Sequence, residues 1–357
     1  MIFFPLNKKN RRLLNAAGIL LLVVLLTGAN AFLDPFSMQI FKLCAINIIL
    51  ALSLNLLNGF TGLFSLGHAG FMSIGAFSCA LLTMTADQKQ MNFFLKPIEP
   101  FLAHITIPFL PALIIAGLIA AFFGFLIGAP VLRLRDDYLA IATLGFSEII
   151  RVVFTNLQTI TNGSLGLKGL PRFTTMWWAW GTAAFTVVFI VALIKSSYGR
   201  AFKAIRDNEI AAEAMGINVF NMKLLSFVLS AFFAGVGGAL LAHHLTTIDP
   251  KQFMFLKTFD ILLIVVLGGI GSISGSIISA IVVTILMEAL RFLDGPLNFI
   301  VFQTTGVPGI RMVVFSILLM AVILFRQQGL MGRRELSWEL FADIGLLPRR
   351  FGRRKGE

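Results

Sequence analysis

Charge is scarce in this chain. Of 357 residues, 13% are Asp, Glu, Lys or Arg and 57% are hydrophobic, whereas a soluble globular domain carries about 25% charged residues. A water-facing surface cannot be covered at half that density, so lipid must solvate much of the chain. Cysteine is nearly absent. Cys44 and Cys79 both sit in apolar runs, which excludes a disulfide framework and reads as small buried side chains. Histidine is sparse too. His68 and His104 stand alone, and the neighbours His243 and His244 point to different faces of a helix, so no zinc-ligand spacing exists. No nucleophile–base constellation is visible. The sequence offers no catalytic residue, no metal site and no cofactor, and an enzyme is not expected.

Basic residues are in excess, with a net charge of +12. They lie between apolar segments and at both ends, where they act as topology signals; nucleic acid is not an expected partner. Stretches suited to spanning a bilayer, about 20 apolar residues each, read at 13–33, 36–57, 62–84, 105–130, 138–157, 176–194, 222–245, 259–272, 273–292 and 309–325. The pair 259–272 and 273–292 reads as two spans or as one broken helix, because Gly268, Gly269, Gly271 and Gly275 crowd the junction. Ala29-Asn30-Ala31 resembles a signal-cleavage site, but further spans follow and an uncleaved first helix is expected.

An inside N-terminus places Lys8, Lys9, Arg11, Arg12, Arg133, Arg135, Lys195, Arg200, Lys203, Arg206, Lys223 and the basic run Arg326–Lys355 on one side. The other side holds only Lys89, Lys96, Lys168, Arg172, Lys251 and Lys257. The bias predicts both termini in the cytoplasm and an even number of spans. Trp177, Trp178 and Trp180 fit an outer aromatic belt. The expectation is an all-α integral membrane protein of about ten helices, with one transmembrane domain over 1–330. Its polar segment 196–223 is cytoplasmic, and a basic tail, 331–357, is expected on anionic headgroups.

Four stretches could carry function. In Gly199–Gly216, Asp207 or Asn208 can cap a short helix, Ile210, Ala214 and Ile217 recur at helical spacing, and Gly216 can end it. Such a helix either docks on a cytoplasmic partner or lies on lipid. In Leu54–Ala76, the polar Asn58, Ser65, His68 and Ser73 accompany Gly59, Gly62, Gly67 and Gly70. That mixture serves a translocation path or close helix packing. Glu148 with Arg151 and Glu288 with Arg291 are three apart, so each pair can neutralise itself, as a structural ion pair or as part of a gate. Leu267–Ser276 is glycine-rich but lacks the Gly-Lys-Ser/Thr ending of a phosphate loop, and reads as a helix break.

Glu209-Ile-Ala-Ala-Glu-Ala-Met-Gly216 resembles the Glu-Ala-Ala…Gly loop of bacterial ATP-binding cassette importer permeases, although the order is spread out and the later proline is absent. Ser197–Ser230, Leu54–Ala76, Asp136–Arg151, Thr161–Pro171 and Leu267–Ser276 are similar to the larger type of branched-chain amino acid permease. The resemblance spans about residues 40–325 and implies a vitamin-B12-importer-like permease fold with an inverted repeat. It also implies ATPase coupling through Arg200, Arg206, Glu209, Ala211, Ala212, Glu213, Ala214 and Gly216. The implied partners are a second homologous permease subunit, two cytoplasmic ATP-binding subunits and an extracytoplasmic substrate-binding protein, in a bacterial cytoplasmic membrane. ATP hydrolysis would then belong to other subunits, and the cargo would be leucine, isoleucine or valine. A urea or short-amide permease is an alternative. So is an ion-coupled secondary transporter, with Glu148, Asp260 and Glu288 as the buried acids, and so is a non-transporting scaffold.

Overall fold

The computed structural model describes residues 27–28, 34–134, 136–291, 297–298, 303–304, 309–325, 329–332 and 335. The first expected span therefore lies outside the described residues except for Thr27 and Gly28, as do Arg135 and the tail beyond Glu335.

The chain is helical. In order, the helices are α1 (Pro35–Asn55), α2 (His68–Thr83), α3 (Ala86–Asn92), α4 (Pro100–Ala103), α5 (Phe109–Val131), α6 (Asp136–Asn156), α7 (Gln158–Thr161) and α8 (Met176–Lys195). They continue as α9 (Ser197–Asp207), α10 (Glu209–Ala214), α11 (Val219–Leu245), α12 (Phe255–Gly268), α13 (Ile273–Ala289) and α14 (Ile310–Phe325). Five stretches are long and apolar enough to cross a membrane: Pro35–Thr61, Phe109–Val131, Tyr138–Asn156, Met176–Lys195 and Val219–Leu245. His68–Thr83 and Ile273–Ala289 are shorter apolar helices.

Two expected helix starts shift, those at 62 and at 259, and the alternative left open near 270 is decided. The stretch expected at 62–84 does not start as a helix. α1 instead runs into a π-helical turn, Leu56–Thr61, which Gly62 ends at φ +81°, and regular helix resumes only at His68. Gly62 and Gly67 flank polar residues, and hydropathy does not register a chain that stops coiling inside an apolar run. The junction near 270 resolves into two helices, α12 and α13. Their connector, 269–272, has Gly269 at φ +109° and Gly271 at φ +84°, values open to glycine. α12 begins at Phe255, ahead of the expected 259, and carries Lys257 and Asp260, 3.8 Å apart, within its first two turns.

The core is built on α11, which packs against α2, α5 and α1. No hydrophobic force joins helices in lipid, so close approach of backbones must supply the attraction. Small residues provide it. A Cβ on Gly75 would overlap the Gly235 backbone, and one on Gly238 would overlap Met72. The second half of α1, Cys44 to Asn55, is wholly buried apart from the half-exposed Asn47, which bonds Thr284 at 2.8 Å.

The end of the bundle away from α9 is closed by loops. β1 (Leu167–Lys168) pairs antiparallel with β2 (Thr247–Ile248). Asn92 holds both backbone groups of Lys168, at 2.7 and 2.9 Å. Lys89 is fully buried and donates to the carbonyls of Leu102, at 2.7 Å, and Ile105, at 2.5 Å. Burial holds the Lys89 ammonium below its ordinary range. His243 bonds the Pro171 carbonyl at 2.9 Å and Thr83 at 3.1 Å, pinning the loop that enters α8.

Candidate functional site

The segment Ser197–Asn218 folds as a short helix pair at one end of the apolar bundle. α9 turns Phe202 and Ile205 inward. At its end Asn208 leaves helical geometry and its side chain accepts from the Ala211 N–H at 3.0 Å, capping α10. Gly216, at φ +82°, ends α10: its N–H reaches Glu213 at 2.9 Å, and the Ile217 N–H returns to Ala212 at 3.1 Å. Two backbone bonds of this kind satisfy the last carbonyls of a helix. Glu209 pairs with the buried Lys223 of α11 at 2.5 Å. The result is a short helix fixed at both ends.

The buried side of α10 is not the expected stripe. Ala212 packs with Ile205 and Val219, and Ile217 joins them, whereas Ala214 is exposed and Ile210 is 80% exposed. The helix stops after Ala214 and Gly216 reverses the chain, so Ile217 never continues the face that Ile210 begins. Ile210, Ala214 and Met215, the last 83% exposed, form an apolar tip. Ala211 and Glu213 are exposed beside it, and Arg200 is exposed near the start of α9.

α9 is tied to both helix breaks. Arg206 donates from Nη1 to the Gly59 carbonyl at 3.2 Å and from Nε and Nη2 to Asp207 at 3.1 and 2.9 Å. Its stem lies against Gly62, where a Cβ would come within 3.0 Å of Cγ. Lys203 sits over the Phe60 ring, 6.0 Å from its centroid. From the π-turn the contact passes to the connector 269–272. A Cβ on Gly59 would overlap Asn55 and the Gly271 backbone. Asn55 is buried and makes three bonds across: it accepts from the Gly271 N–H at 2.9 Å, and donates to the Ser272 carbonyl and to Ser276 Oγ, each at 2.9 Å. Sequence reading identified the glycines at each break but not Asn55. Its position inside an apolar helix, four residues before Gly59, was the available signal.

Of the other polar residues of Leu54–Ala76, Ser65, His68 and Ser73 are buried in this chain's own packing and Asn58 is half-buried. His68 meets Ser53 at 2.7 Å, and the Ser73 hydroxyl returns to the Gly70 carbonyl at 2.8 Å. Asn58 accepts from the Ser65 N–H at 3.3 Å. Gly67 lies on Thr143 and Gly70 on Ser147 of α6. The gap among Gly67, Phe71, Ile127, Thr143, Ser147 and Phe227 is too tight to admit even a water molecule, so it is no binding chamber.

Both predicted ion pairs form. Arg151 Nε reaches Glu148 at 2.6 Å, and the other oxygen of Glu148 accepts from the Phe255 N–H at 3.2 Å, holding the start of α12. Arg291 meets Glu288 at 2.7 Å. The Glu148–Arg151 pair is about a quarter exposed, on the helix with the lowest buried share among the five long apolar stretches.

Comparison with known proteins accords with this geometry. Residues 37–325 match the family described as the permease component of the branched-chain amino acid transport system. The chain is 35% identical over 311 residues to the high-affinity branched-chain amino acid transport system permease protein LivM of Escherichia coli K12, covering 76% of this chain and 68% of that protein. A probable branched-chain amino acid transport permease protein LivM of Methanocaldococcus jannaschii is 24% identical, with 81% of this chain and 91% of the relative covered. The ribose import permease protein RbsC of Haemophilus influenzae is 29% identical over 43% of this chain and 52% of its own length. No solved structure matches.

Proposed function

This chain belongs to the branched-chain amino acid transport permease family, and from that membership we propose that it is the permease subunit of an ATP-binding cassette importer for leucine, isoleucine and valine. The observation that carries the reading is the fixed α9–α10 pair with its apolar tip. Ile210, Ala214 and Met215 fit a groove on a cytoplasmic ATPase, and Arg206 and Lys203 link the pair to the bundle. Arg200, Glu209, Ala211, Ala212, Glu213 and Gly216 form or support the same knob. An interfacial helix lying on lipid would not need its base joined to two helix breaks.

The path runs between this chain and a second homologous permease. Its support is α6, where an ion pair is partly exposed at bundle depth; such a pair needs protein or water beside it and is costly against lipid. The polar groups of Leu54–Ala76 serve packing and the breaks. ATP-driven closure of two ATPases displaces α9–α10, and that displacement biases the breaks toward one of two access states; only a difference in affinity between the states can drive the change. An extracytoplasmic binding protein delivers the amino acid, and both termini are cytoplasmic.

The test is uptake into proteoliposomes holding this chain with its partner permease, ATPases and binding protein. ATP-dependent leucine uptake that disappears without the ATPases is expected. Uptake by this chain alone on an ion gradient would overturn the reading in favour of a secondary transporter, and preferential uptake of urea would overturn the cargo.

A further inference from the structure

Breaking a helix exposes backbone groups at both cut ends, and burying them without partners is costly. At the α12–α13 break they are all accounted for. The Val265 and Val266 carbonyls accept from the Gly269 N–H. The Leu267 carbonyl accepts from the Leu330 N–H at 2.7 Å, and that of Gly268 from Met331 at 3.3 Å. On the α13 side Ser272 caps Gly275 at 3.0 Å, and the Ser276 N–H reaches the Ser272 carbonyl at 3.3 Å. The other two amides point at one carboxylate: Glu335 accepts from Ile273 at 2.7 Å and from Ser274 at 3.0 Å, and also from the Ser274 hydroxyl at 2.7 Å.

Leu330, Met331 and Glu335 thus supply the partners that neither helix supplies for itself. They follow α14, some sixty residues along the chain from the carbonyls and amides they meet. Gly329 lies so close that a Cβ there would come within 2.7 Å of the Gly269 nitrogen. Glu335 also sits where a helix start favours negative charge. From the other side, Asn55 holds Gly271, and Arg206 Nη1 lies 3.2 Å from where a Gly271 Cβ would be. The connector 269–272 is therefore gripped between the docking segment and the post-α14 segment.

Resting on the importer reading above, we infer that Leu330, Met331 and Glu335 form a clip across the α12–α13 break and that Glu335 is a positioning residue for transport coupling. A four-residue connector with two glycines at positive φ would flex if held from one side only, and a push from Arg206 would be absorbed there. With both cut ends tied to the clip, α12 and α13 move as one body with α9. The charge of Glu335 matters less for folding, since the residue is exposed, than for fixing the first turn of α13.

Glu335→Ala and the milder Glu335→Gln, each in the complete complex in lipid nanodiscs or liposomes, test this. Two readouts are taken: hydrogen exchange at the amides of Ile273 and Ser274, and leucine taken up per ATP hydrolysed. Glu335→Ala is expected to speed exchange at both amides about tenfold and to lower uptake per ATP about fivefold, with subunit assembly and basal hydrolysis kept. Glu335→Gln, which keeps one acceptor, falls between. If Glu335→Ala does not assemble, the Gln variant carries both readouts. Faster exchange with unchanged uptake per ATP overturns the coupling role and leaves a helix cap. Unchanged exchange overturns the clip itself. Wild-type complex without ATP-driven uptake overturns the importer reading and the coupling role with it, whereas the exchange result still decides the clip.

Discussion

Arg206 and Gly59 lie 147 positions apart, yet the guanidinium of one donates to the carbonyl of the other at 3.2 Å. That bond joins the segment at one end of the bundle to the point where α1 loosens into a π-turn. The Gly59 carbonyl is available there because a π-turn spoils the regular bonding of an α-helix. Arg206→Lys keeps the charge but loses the planar fork that also grips Asp207. It is expected to leave ATPase docking intact while uptake per ATP falls several-fold, as measured by pull-down and transport on the same preparation. Full coupling in Arg206→Lys would show that charge alone makes the link.

Gly59→Ala tests the contact between the two breaks. Its Cβ has no room between Asn55 and the Gly271 backbone. Overpacking of this kind costs roughly 1–3 kcal/mol, so thermal unfolding in detergent should drop by several degrees. Gly181→Ala is the control, because a Cβ there meets nothing within 4 Å, and it should match wild type.

Asn55→Leu removes three bonds across the same contact and leaves the half-buried Gly271 N–H without its acceptor. Each unsatisfied buried group costs about 1–3 kcal/mol. The variant should be destabilised even though its new side chain is more apolar. A thermal midpoint equal to wild type would mean that these bonds contribute little.

Much of this was legible beforehand, and the limits have physical causes. Apolar runs placed the long helices, because the need to satisfy every backbone group in lipid leaves little choice but a helix. The capped segment after α9 was legible from Asn208 and Gly216, since caps are local chemistry. Which face of α10 faces out was not, because that depends on where Gly216 sends Ile217. The π-turn and the Asn55 bonds were hidden too: the turn leaves no periodic trace, and the partners of Asn55 lie over two hundred residues along the chain. Glu335 sits in a basic stretch that reads as membrane-facing, and its two amide partners become visible only once the α12–α13 break is placed.

Lys89 yields a prediction in pH. Burial lowers its pKa below the free value of 10.5, so the unfolded chain binds this proton more tightly than the folded one. The cost of holding the charged form is fully present at neutral pH and fades as pH rises from the lowered value through 10.5. The stability of wild type relative to Lys89→Met should therefore increase with pH across that window, read as the difference in thermal midpoints. Lys89→Met should also lose about 1–3 kcal/mol from the unpaired carbonyls of Leu102 and Ile105. A difference that shrinks with pH would show that the ammonium is favoured in place.

The central claim is that the apolar tip of α10 is the surface an ATPase grips from the cytoplasm. Both native cysteines are buried, so a thiol introduced by Met215→Cys can be read cleanly with a membrane-impermeant maleimide. Labelling is predicted in inside-out vesicles stripped of ATPase, none from outside intact cells, and protection when the ATPases are added back. Labelling from outside intact cells, or equal labelling with and without the ATPases, would contradict the account.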